Sequence, residues 1–381
     1  MPASQAELRR VQGTPPGVEP TVVRQRLALV DALRGIAALA VVLFHVPNEF
    51  RRAAGIPAWM DWIFQHGGYG VTVFFVLSGF VITMSMRNGP WTLRYLVGFV
   101  ARRSVRLDPP YWTAIALEVL LGYVGMRWLS AKEYPLPGVR DIVAHLTYTQ
   151  GILGLPQISD VFWTLCFEIQ FYVGLVATLV IATSVWMGKL APSRYVLGFV
   201  FMALLSLSVL VRNEWILDLA PGTGLIRVEE FLVGVLCFLW ASNRVSTNVT
   251  AGVLVATASA RIVGGGAADV AVTWAAFALC AISYKRPSLD RFGRFKVLQF
   301  LGGISYSLYL FHASIVGRAS SLLVSRMGAE VGQATMLLAL VVVVLATVAF
   351  AWVMCILVER PALHLSKRVT FGLRPRLSNE S

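Results

Sequence analysis

The sequence predicts an all-α, polytopic integral membrane protein with about ten transmembrane helices and both termini in the cytoplasm. Three observations support this fold class. Of the 381 residues, 57% are hydrophobic and only 14% are charged, whereas a soluble domain has about 25% charged residues. Apolar stretches of about 20 residues, the length of a membrane-spanning helix, recur from residue 27 to residue 358. Lysine and arginine are unevenly distributed between the segments that join these stretches.

The apolar stretches define the expected spans and the tails on either side of them. The spans cover residues 27–46, 70–86, 110–129, 161–182, 195–212, 224–241, 249–263, 270–284, 298–318 and 335–358. We expect a flexible cytoplasmic tail over residues 1–26 and a basic cytoplasmic tail over residues 361–381. No internal repeat is visible in the sequence, which argues against the inverted-repeat architecture of many transporters.

The basic residues indicate the orientation of the chain. Of the 33 lysines and arginines, 22 fall on the side of the N-terminus, nine on the opposite side and two within spans. Because cytoplasmic loops carry the excess of positive charge, both termini are expected inside. This bias accounts for the net charge of +13, so we expect no nucleic-acid partner. The four cysteines are isolated in apolar segments, and their spacing indicates neither a metal site nor a disulfide framework.

The first span carries two polar residues that a bilayer disfavours, Arg34 and His45. Their separation of 11 residues equals three helical turns plus roughly 20°, so both project from one face, about 16 Å apart. With the N-terminus inside, Arg34 lies in the cytoplasmic half and His45 near the outer end. An arginine that extends to the interface and an interfacial histidine are the alternative, but Arg34 lies two turns inside the span.

The fourth span begins with FWTLCFEIQFY, which places Glu168 one to two turns below the outer surface, close to the expected depth of His45. A buried carboxylate without a basic neighbour in sequence needs a partner from another helix, and a histidine is suitable. A structural carboxylate that ties two helices together is the alternative.

Other polar residues in the spans are candidates for substrate binding. Ser78 precedes a glycine in the second span, and such a pair more often indicates close helix packing. Tyr309 and His312 lie on a polar stripe of the ninth span, where structural hydrogen bonding and acceptor binding are equally good interpretations of the histidine. Arg227 and Glu230 lie near the outer end of the sixth span, where a mutual ion pair is the simpler explanation.

The expected cytoplasmic loop after the second span contains Arg103 and Arg106, which share one face if the segment is helical. Paired guanidinium groups suit a phosphate, because each can donate two hydrogen bonds to it. Contact with lipid phosphates is the alternative. The basic pair, Arg34 and the outer histidine together predict a route along which a phosphorylated cytoplasmic donor reaches towards the outer face.

These segments jointly resemble the acyltransferase-3 family of integral membrane O-acyltransferases. VDALRGIAALAVVLFH matches the family's Arg-x10-His signature through Arg34 and His45, and RRSVRLDPPYW matches its Arg-x-x-Arg motif through Arg103 and Arg106. FWTLCFEIQFY is similar to a family motif with a central glutamate, here Glu168. GVTVFFVLSGFVI, GGISYSLYLFH and the closing VERP are similar to further motifs of the family.

The resemblance extends in order over nearly all of residues 27–361 and implies a transmembrane acyltransferase domain, here residues 27–360, in the inner (cytoplasmic) membrane of a bacterium. It implies a cytoplasmic acyl-CoA donor, commonly acetyl-CoA, no metal, and an acceptor hydroxyl on a sugar, a glycan or a small molecule. Many relatives carry a fused esterase-like domain, and we expect a stand-alone form without it. Ile169 stands where a second carboxylate often follows Glu168, so Glu168 would act alone.

The expected mechanism is direct transfer. His45 acts as general base for the acceptor hydroxyl, which attacks the thioester carbonyl, and Glu168 orients His45 as a carboxylate orients histidine in hydrolase triads. Arg34, Arg103 and Arg106 bind the donor. An acylated His45 intermediate is an alternative route. A transporter or flippase of a glycan or lipid-linked intermediate is the competing function, since it also uses buried charges, and an inactive scaffold is a third. The acceptor, the acyl chain and the oligomeric state stay open at this point.

Overall fold

The computed structural model describes most of the expected domain. The described residues are 27–54, 56–86, 92–128, 136–186, 227–263, 266–326 and 332–369, with residues 201, 205 and 208. These residues contain helices and connecting turns and no β-strand, which confirms the all-α prediction. The predicted tail of residues 1–26, the end of the second tail and most of the fifth predicted span lie outside the described residues.

The helices are labelled α1 to α14 in chain order. They are α1 (Ala28–Phe44), α2 (Asn48–Ala54), α3 (Ala58–His66), α4 (Gly70–Met86), α5 (Leu93–Trp128), α6 (Val139–Leu146), α7 (Phe162–Trp186), α8 (Val228–Ala241), α9 (Thr247–Val263), α10 (Ala267–Lys285), α11 (Pro287–Asp290), α12 (Lys296–Arg326), α13 (Gln333–Met354) and α14 (Arg360–Ser366).

Within the described residues, five helical segments are long and apolar enough to cross a membrane. They are Ala58–Met86, Phe162–Ile181, Ala267–Lys285, Lys296–Val324 and Gln333–Ser366. Their number supports a multi-pass membrane protein. The complete set of ten spans and the orientation of the termini stay predictions.

Most of the expected loop between the second and third spans is helical, because α5 begins at Leu93 and carries the Arg-x-x-Arg motif into the third predicted span. Pro109 and Pro110 lie inside this helix and provide no N–H for its hydrogen-bond ladder. Neighbouring side chains bond to the backbone there: Thr113 donates to the carbonyl oxygen of Pro109 over 2.8 Å, and the Tyr306 hydroxyl donates to that of Leu107 over 2.9 Å. The structure therefore shows one continuous helix through the two prolines, with additional side-chain hydrogen bonds beside them.

The C-terminal end of the domain extends beyond the predicted boundary at residue 360. A π-helical segment, Cys355–Glu359, connects α13 to α14, and α14 packs against α5. The Arg102 guanidinium donates to the carbonyl oxygen of Val369 over 2.6 and 3.1 Å. The first nine residues of the predicted tail therefore belong to the folded domain.

Helices α1 and α12 run in the same direction and pack closely through glycines. A Cβ atom on Gly35 would lie 2.6 Å from the backbone nitrogen of Gly302, and one on Gly302 would overlap the carbonyl oxygen of Asp31. Further along both helices, the rings of His45 and His312 meet. This parallel pair brings the two polar residues of α1 against the polar stripe of α12.

Helices α4 and α8 also approach at glycines. A Cβ atom on Gly79 would overlap the carbonyl oxygen of Phe231, and one on Gly234 would overlap that of Val76. The Ser-Gly pair of the second span therefore mediates close helix packing through its glycine, as predicted, and this packing turns Ser78 towards α7.

The N-terminus of α1 is capped by a residue far away in sequence. A leucine precedes α1 and gives no side-chain cap, although the first N–H groups of a helix need acceptors. The Asp290 carboxylate accepts hydrogen bonds from the backbone N–H groups of Ala28 (3.1 Å) and Leu29 (2.9 Å) and from the Ser283 hydroxyl (2.7 Å). A carboxylate at this end also interacts favourably with the helix dipole.

Candidate active site

A cavity of about 130 Å³ lies between α1, α4, α5, α7 and α12. Six of the ten predicted site residues line it: Arg34, Ser78, Arg103, Arg106, Glu168 and Tyr309. They come from all five helices, so the packing of the bundle brings together residues that are separated by up to 275 positions in the chain. The apolar part of the wall includes Phe74, Phe75 and Leu165.

Three arginines surround the cavity. Arg103 and Arg106 lie one turn apart on α5, and Arg34 reaches the same space from α1. The guanidinium carbon of Arg103 lies 4.5 Å from the centre of the Tyr172 ring, a contact that holds its planar group against an aromatic face. With Glu168 as the only carboxylate among the lining residues, the site is suited to an anion with several oxygen atoms, such as a phosphate.

The Glu168 carboxylate lies at the wall of this cavity, where it accepts two hydrogen bonds. Ser78 donates to its Oε1 atom over 2.9 Å, and the Tyr172 hydroxyl, one turn along α7, donates to the same oxygen. Tyr172 also lies within 3.2 Å of the Ser78 hydroxyl. In the described part of the chain, no hydrogen bond joins Glu168 to His45. The predicted contact between these two residues is therefore absent, and each has other partners.

His45 is half-buried and follows directly after the last residue of α1. Its Nδ1 atom lies 2.9 Å from the carbonyl oxygen of Val41 and 3.2 Å from the Nε2 atom of His312. His312 is completely buried, and its Nδ1 atom lies 2.7 Å from the carbonyl oxygen of Tyr309. The two rings meet edge to face, with centroids 4.8 Å apart.

The cavity and the histidine pair are connected through α12. Tyr309 lines the cavity, and its hydroxyl lies 2.7 Å from that of Thr164 on α7. The carbonyl oxygen of the same tyrosine bonds to His312, which is three residues, or about 4.5 Å, further along the helix. The cavity wall thus extends from the arginines to within one helical turn of the histidine pair.

Arg227 and Glu230 form an ion pair of 2.9 Å, which confirms the simpler explanation of these residues. Neither lines the main cavity. A neighbouring ion pair joins Arg261 to Glu229 over 2.6 Å, and Arg261 also contacts Asp269. These charges hold α8, α9 and α10 together beside a separate, small cavity of about 20 Å³.

A buried carboxylate, Glu118, and a half-buried one, Glu359, were not among the predicted residues. Glu118 on α5 pairs with Arg318 over 2.8 Å and accepts a hydrogen bond of 2.7 Å from Ser314, which links α5 to α12. Glu359, in the π-helical segment, accepts a hydrogen bond of 2.6 Å from Ser307. Glu118 and Arg318 could have been found from the sequence, because they are opposite charges inside apolar spans. Glu359 could have been found because it belongs to the VERP motif.

Among the described residues, no group of three or more His, Cys, Asp or Glu side chains is placed to hold a metal ion.

Comparisons with known proteins agree on one family. The sequence profile of a family described as an acyltransferase domain matches residues 27–356. The chain is 26% identical over 340 residues to the peptidoglycan O-acetyltransferase OatA of Listeria monocytogenes. This alignment covers 77% of this chain and 50% of that protein. It is 24% identical over 328 residues to the O-acetyltransferase OatA of Staphylococcus aureus, an alignment that covers 75% of this chain and 50% of that protein. The chain spans about half the length of these curated relatives, and no solved structure matches it. The match over residues 27–356 shows that the chain belongs to the acyltransferase-3 family.

Proposed function

We propose that this protein is a membrane O-acyltransferase that moves an acyl group, acetyl in the common case, from cytoplasmic acyl-CoA to a hydroxyl group of a sugar or glycan. One observation carries the proposal: a single cavity is bordered by Arg34, Arg103 and Arg106 and extends to within one turn of the His45–His312 pair. Anion-binding groups and a histidine base are the two parts that transfer from a phosphorylated thioester needs.

The size of the cavity supports entry of only part of the donor. Pockets that enclose a whole drug-sized ligand have about 300–1,000 Å³, whereas this cavity has about 130 Å³. We therefore place the thin arm that carries the thioester inside the cavity and the nucleotide part outside it. The three arginines hold the phosphates at the entrance, on the side expected to face the cytoplasm.

His45 performs the proton transfer in the proposed reaction. Its imidazole takes the proton of the acceptor hydroxyl while the oxygen attacks the thioester carbonyl. The new C–O bond forms, the C–S bond breaks, and the proton passes from the imidazolium to the departing thiolate, which leaves as the free thiol of CoA. The protein ends the cycle in its starting state, and no further reactant is needed.

For Glu168 the contacts favour a role at the donor cavity. Its carboxylate, held by Ser78 and Tyr172, balances part of the charge of the surrounding arginines and fixes Tyr172, whose ring carries the Arg103 guanidinium. This role replaces the orientation of His45 that we expected from the sequence, because another histidine occupies the position next to the His45 ring.

The membrane topology and the acceptor belong to the same proposal. We propose ten spans in the inner membrane with both termini in the cytoplasm, and the parallel packing of α1 and α12 agrees with a first and a ninth span that cross in the same direction. The name of the Listeria relative specifies peptidoglycan, and a glycan outside the membrane is the acceptor class that we propose here.

The test is a thiol-release assay with purified full-length protein in nanodiscs, given acetyl-CoA and fractions of cell-surface glycans. We expect thiol release that depends on the acceptor and an acetyl mass increment on the glycan. His45→Gln should abolish both while the protein stays folded, and His66→Gln is the matched control at another histidine that stacks on Trp62 outside the cavity. Undiminished turnover in His45→Gln would remove the base from the mechanism, and movement of glycan without thioester consumption would support a flippase.

A further inference from the structure

The hydrogen bonds of His312 determine where its protons lie. Its Nδ1 atom faces the carbonyl oxygen of Tyr309 over 2.7 Å, and since a carbonyl oxygen only accepts, Nδ1 carries a proton. The ring is completely buried, and none of its described hydrogen-bond partners is a carboxylate. A second proton would create a buried charge without a counter-ion, which is costly. His312 is therefore neutral, and its Nε2 atom has a free lone pair.

The same reasoning applies to His45. Its Nδ1 atom faces two acceptors, the carbonyl oxygen of Val41 at 2.9 Å and the Nε2 lone pair of His312 at 3.2 Å. A nitrogen between two acceptors must carry the proton, which it shares between them. In a neutral imidazole with a proton on Nδ1, the lone pair lies on Nε2.

We infer that His312 is a positioning residue that holds His45 in the Nδ1–H tautomer and makes Nε2 of His45 the basic atom. The catalytic part of this inference rests on the proposed function of His45. When Nε2 takes a proton, the Nδ1–H group of the imidazolium keeps both acceptors, so no ring rotation is needed. This is the task that a carboxylate performs in hydrolase triads, and a neutral histidine performs it here.

The position of His45 explains why such support is needed. The residue lies just after the end of α1, where the helix no longer constrains the chain on its C-terminal side. Without His312, the described ring and hydrogen-bond contacts of His45 would come only from the adjacent turn of the chain, at Val41 and Phe44. His312 is fixed through Tyr309, which also lines the donor cavity, so the base and the donor site are held by one short segment of α12.

Acceptor binding, the other interpretation of His312, requires a ring that a substrate can touch. The ring has no exposed surface, and both of its nitrogens are occupied by protein groups. A role through His45 agrees with this burial, whereas direct contact with a sugar does not.

The tautomer can be tested by NMR on full-length protein labelled with ¹⁵N-histidine in nanodiscs. The chain has five histidines, and the His45 signals are those lost in His45→Gln. We expect a protonated Nδ1 and an unprotonated Nε2 on His45 at neutral pH, and a mixture of tautomers in His312→Leu. A wild-type His45 protonated on Nε2 would overturn the inference. Because this readout needs no activity, it stays decisive even if acyl transfer is not observed.

Kinetics provide the second measurement. Loss of one hydrogen bond in His312→Leu should lower kcat about tenfold, with the KM for acetyl-CoA unchanged. His312→Gln keeps an amide oxygen that can accept from the His45 Nδ1–H group, and it should recover most of the rate. The positioning role would be contradicted if the leucine variant were as fast as the wild type. It would also be contradicted if the glutamine variant recovered no activity while both variants unfolded at the native temperature.

Discussion

The hydroxyl of Ser78 donates a 2.9 Å hydrogen bond to Glu168 across 90 positions of sequence, and it places a carboxylate beside three arginines in the wall of one cavity. Because Tyr172 donates to the same carboxylate, the position of Glu168 does not depend on the serine alone. The arrangement separates two properties that substitutions can test, the charge of Glu168 and its hydrogen bonding.

Glu168→Gln should lower the rate of acceptor-dependent thiol release about tenfold, because the bonds from Ser78 and Tyr172 lose the negative charge that strengthens them. The amide keeps the shape of the side chain but no longer balances the arginines. Ser78→Ala is the control and should lose less than about fivefold, since Tyr172 still holds the carboxylate. Equal losses in the two variants would assign the effect to packing at the α4–α7 contact and not to the charge.

Arg103→Lys should raise the KM for acetyl-CoA about tenfold and leave kcat nearly unchanged. Lysine keeps the charge but loses the planar group that stacks on Tyr172 and binds a phosphate through two hydrogen bonds. Arg102→Lys is the matched control, because Arg102 bonds to the carbonyl oxygen of Val369 and does not line the cavity. An unchanged KM in the Arg103 variant would place the donor phosphates elsewhere.

Gly79→Ala should lower the thermal unfolding temperature and the yield of folded protein, because its new methyl group would overlap the backbone of Phe231. Overpacking of this kind costs about 1–3 kcal/mol. Gly174→Ala in α7 is the control, since nothing lies within 4 Å of its added Cβ atom. Unfolding can be followed with a thiol-reactive dye, because all four cysteines are free and buried. A Gly79 variant as stable as the control would show that α4 and α8 can separate without cost.

The stability of the protein should fall on acidification partly because of His145, which lies in the short helix α6 between two predicted spans. Burial lowers the pKa of His145 below its ordinary value, and its Nε2 atom accepts a hydrogen bond of 3.2 Å from the backbone N–H of Ile158. The unfolded chain therefore binds the proton more readily than the folded one. The contribution of His145 is complete above about pH 6.5 and is lost as the pH falls through the folded pKa.

This pH dependence can be measured as the difference in thermal unfolding temperature between pH 7.5 and pH 5. His145→Gln, which does not titrate, should show a smaller difference than the wild type. Identical pH dependence in the two proteins would mean that other groups account for the acid sensitivity.

Helical periodicity was sufficient to place Arg34 and His45 on one face, because the geometry of an α-helix is set by the backbone. It could not select their partners on other helices. The glycine contacts between α1 and α12 set the depth at which His45 meets His312, and such contacts depend on tertiary packing. For the same reason, Glu168 was identified as a site residue with the wrong neighbour.

Sequence reasoning also failed where the chain departs from simple rules. The third predicted span begins at residue 110, yet α5 begins at Leu93 and continues through Pro109 and Pro110. The π-helical segment before α14 extends the last predicted span beyond residue 360. Both regions make contacts with distant parts of the chain, from Tyr306 to Leu107 and from Arg102 to Val369, which a local pattern does not contain.

The Asp290 cap on α1 has a consequence for the order of synthesis. The carboxylate that satisfies the first N–H groups of α1 is translated 262 positions after Ala28, and the glycine and histidine partners on α12 follow later still. The helix that carries Arg34 can therefore pack against α4 early, but its cap and its partners on α12 exist only after residue 290 has been made. Assembly of the proposed catalytic centre is therefore a late event in biogenesis, and a ribosome stalled before α11 leaves a nascent chain without it.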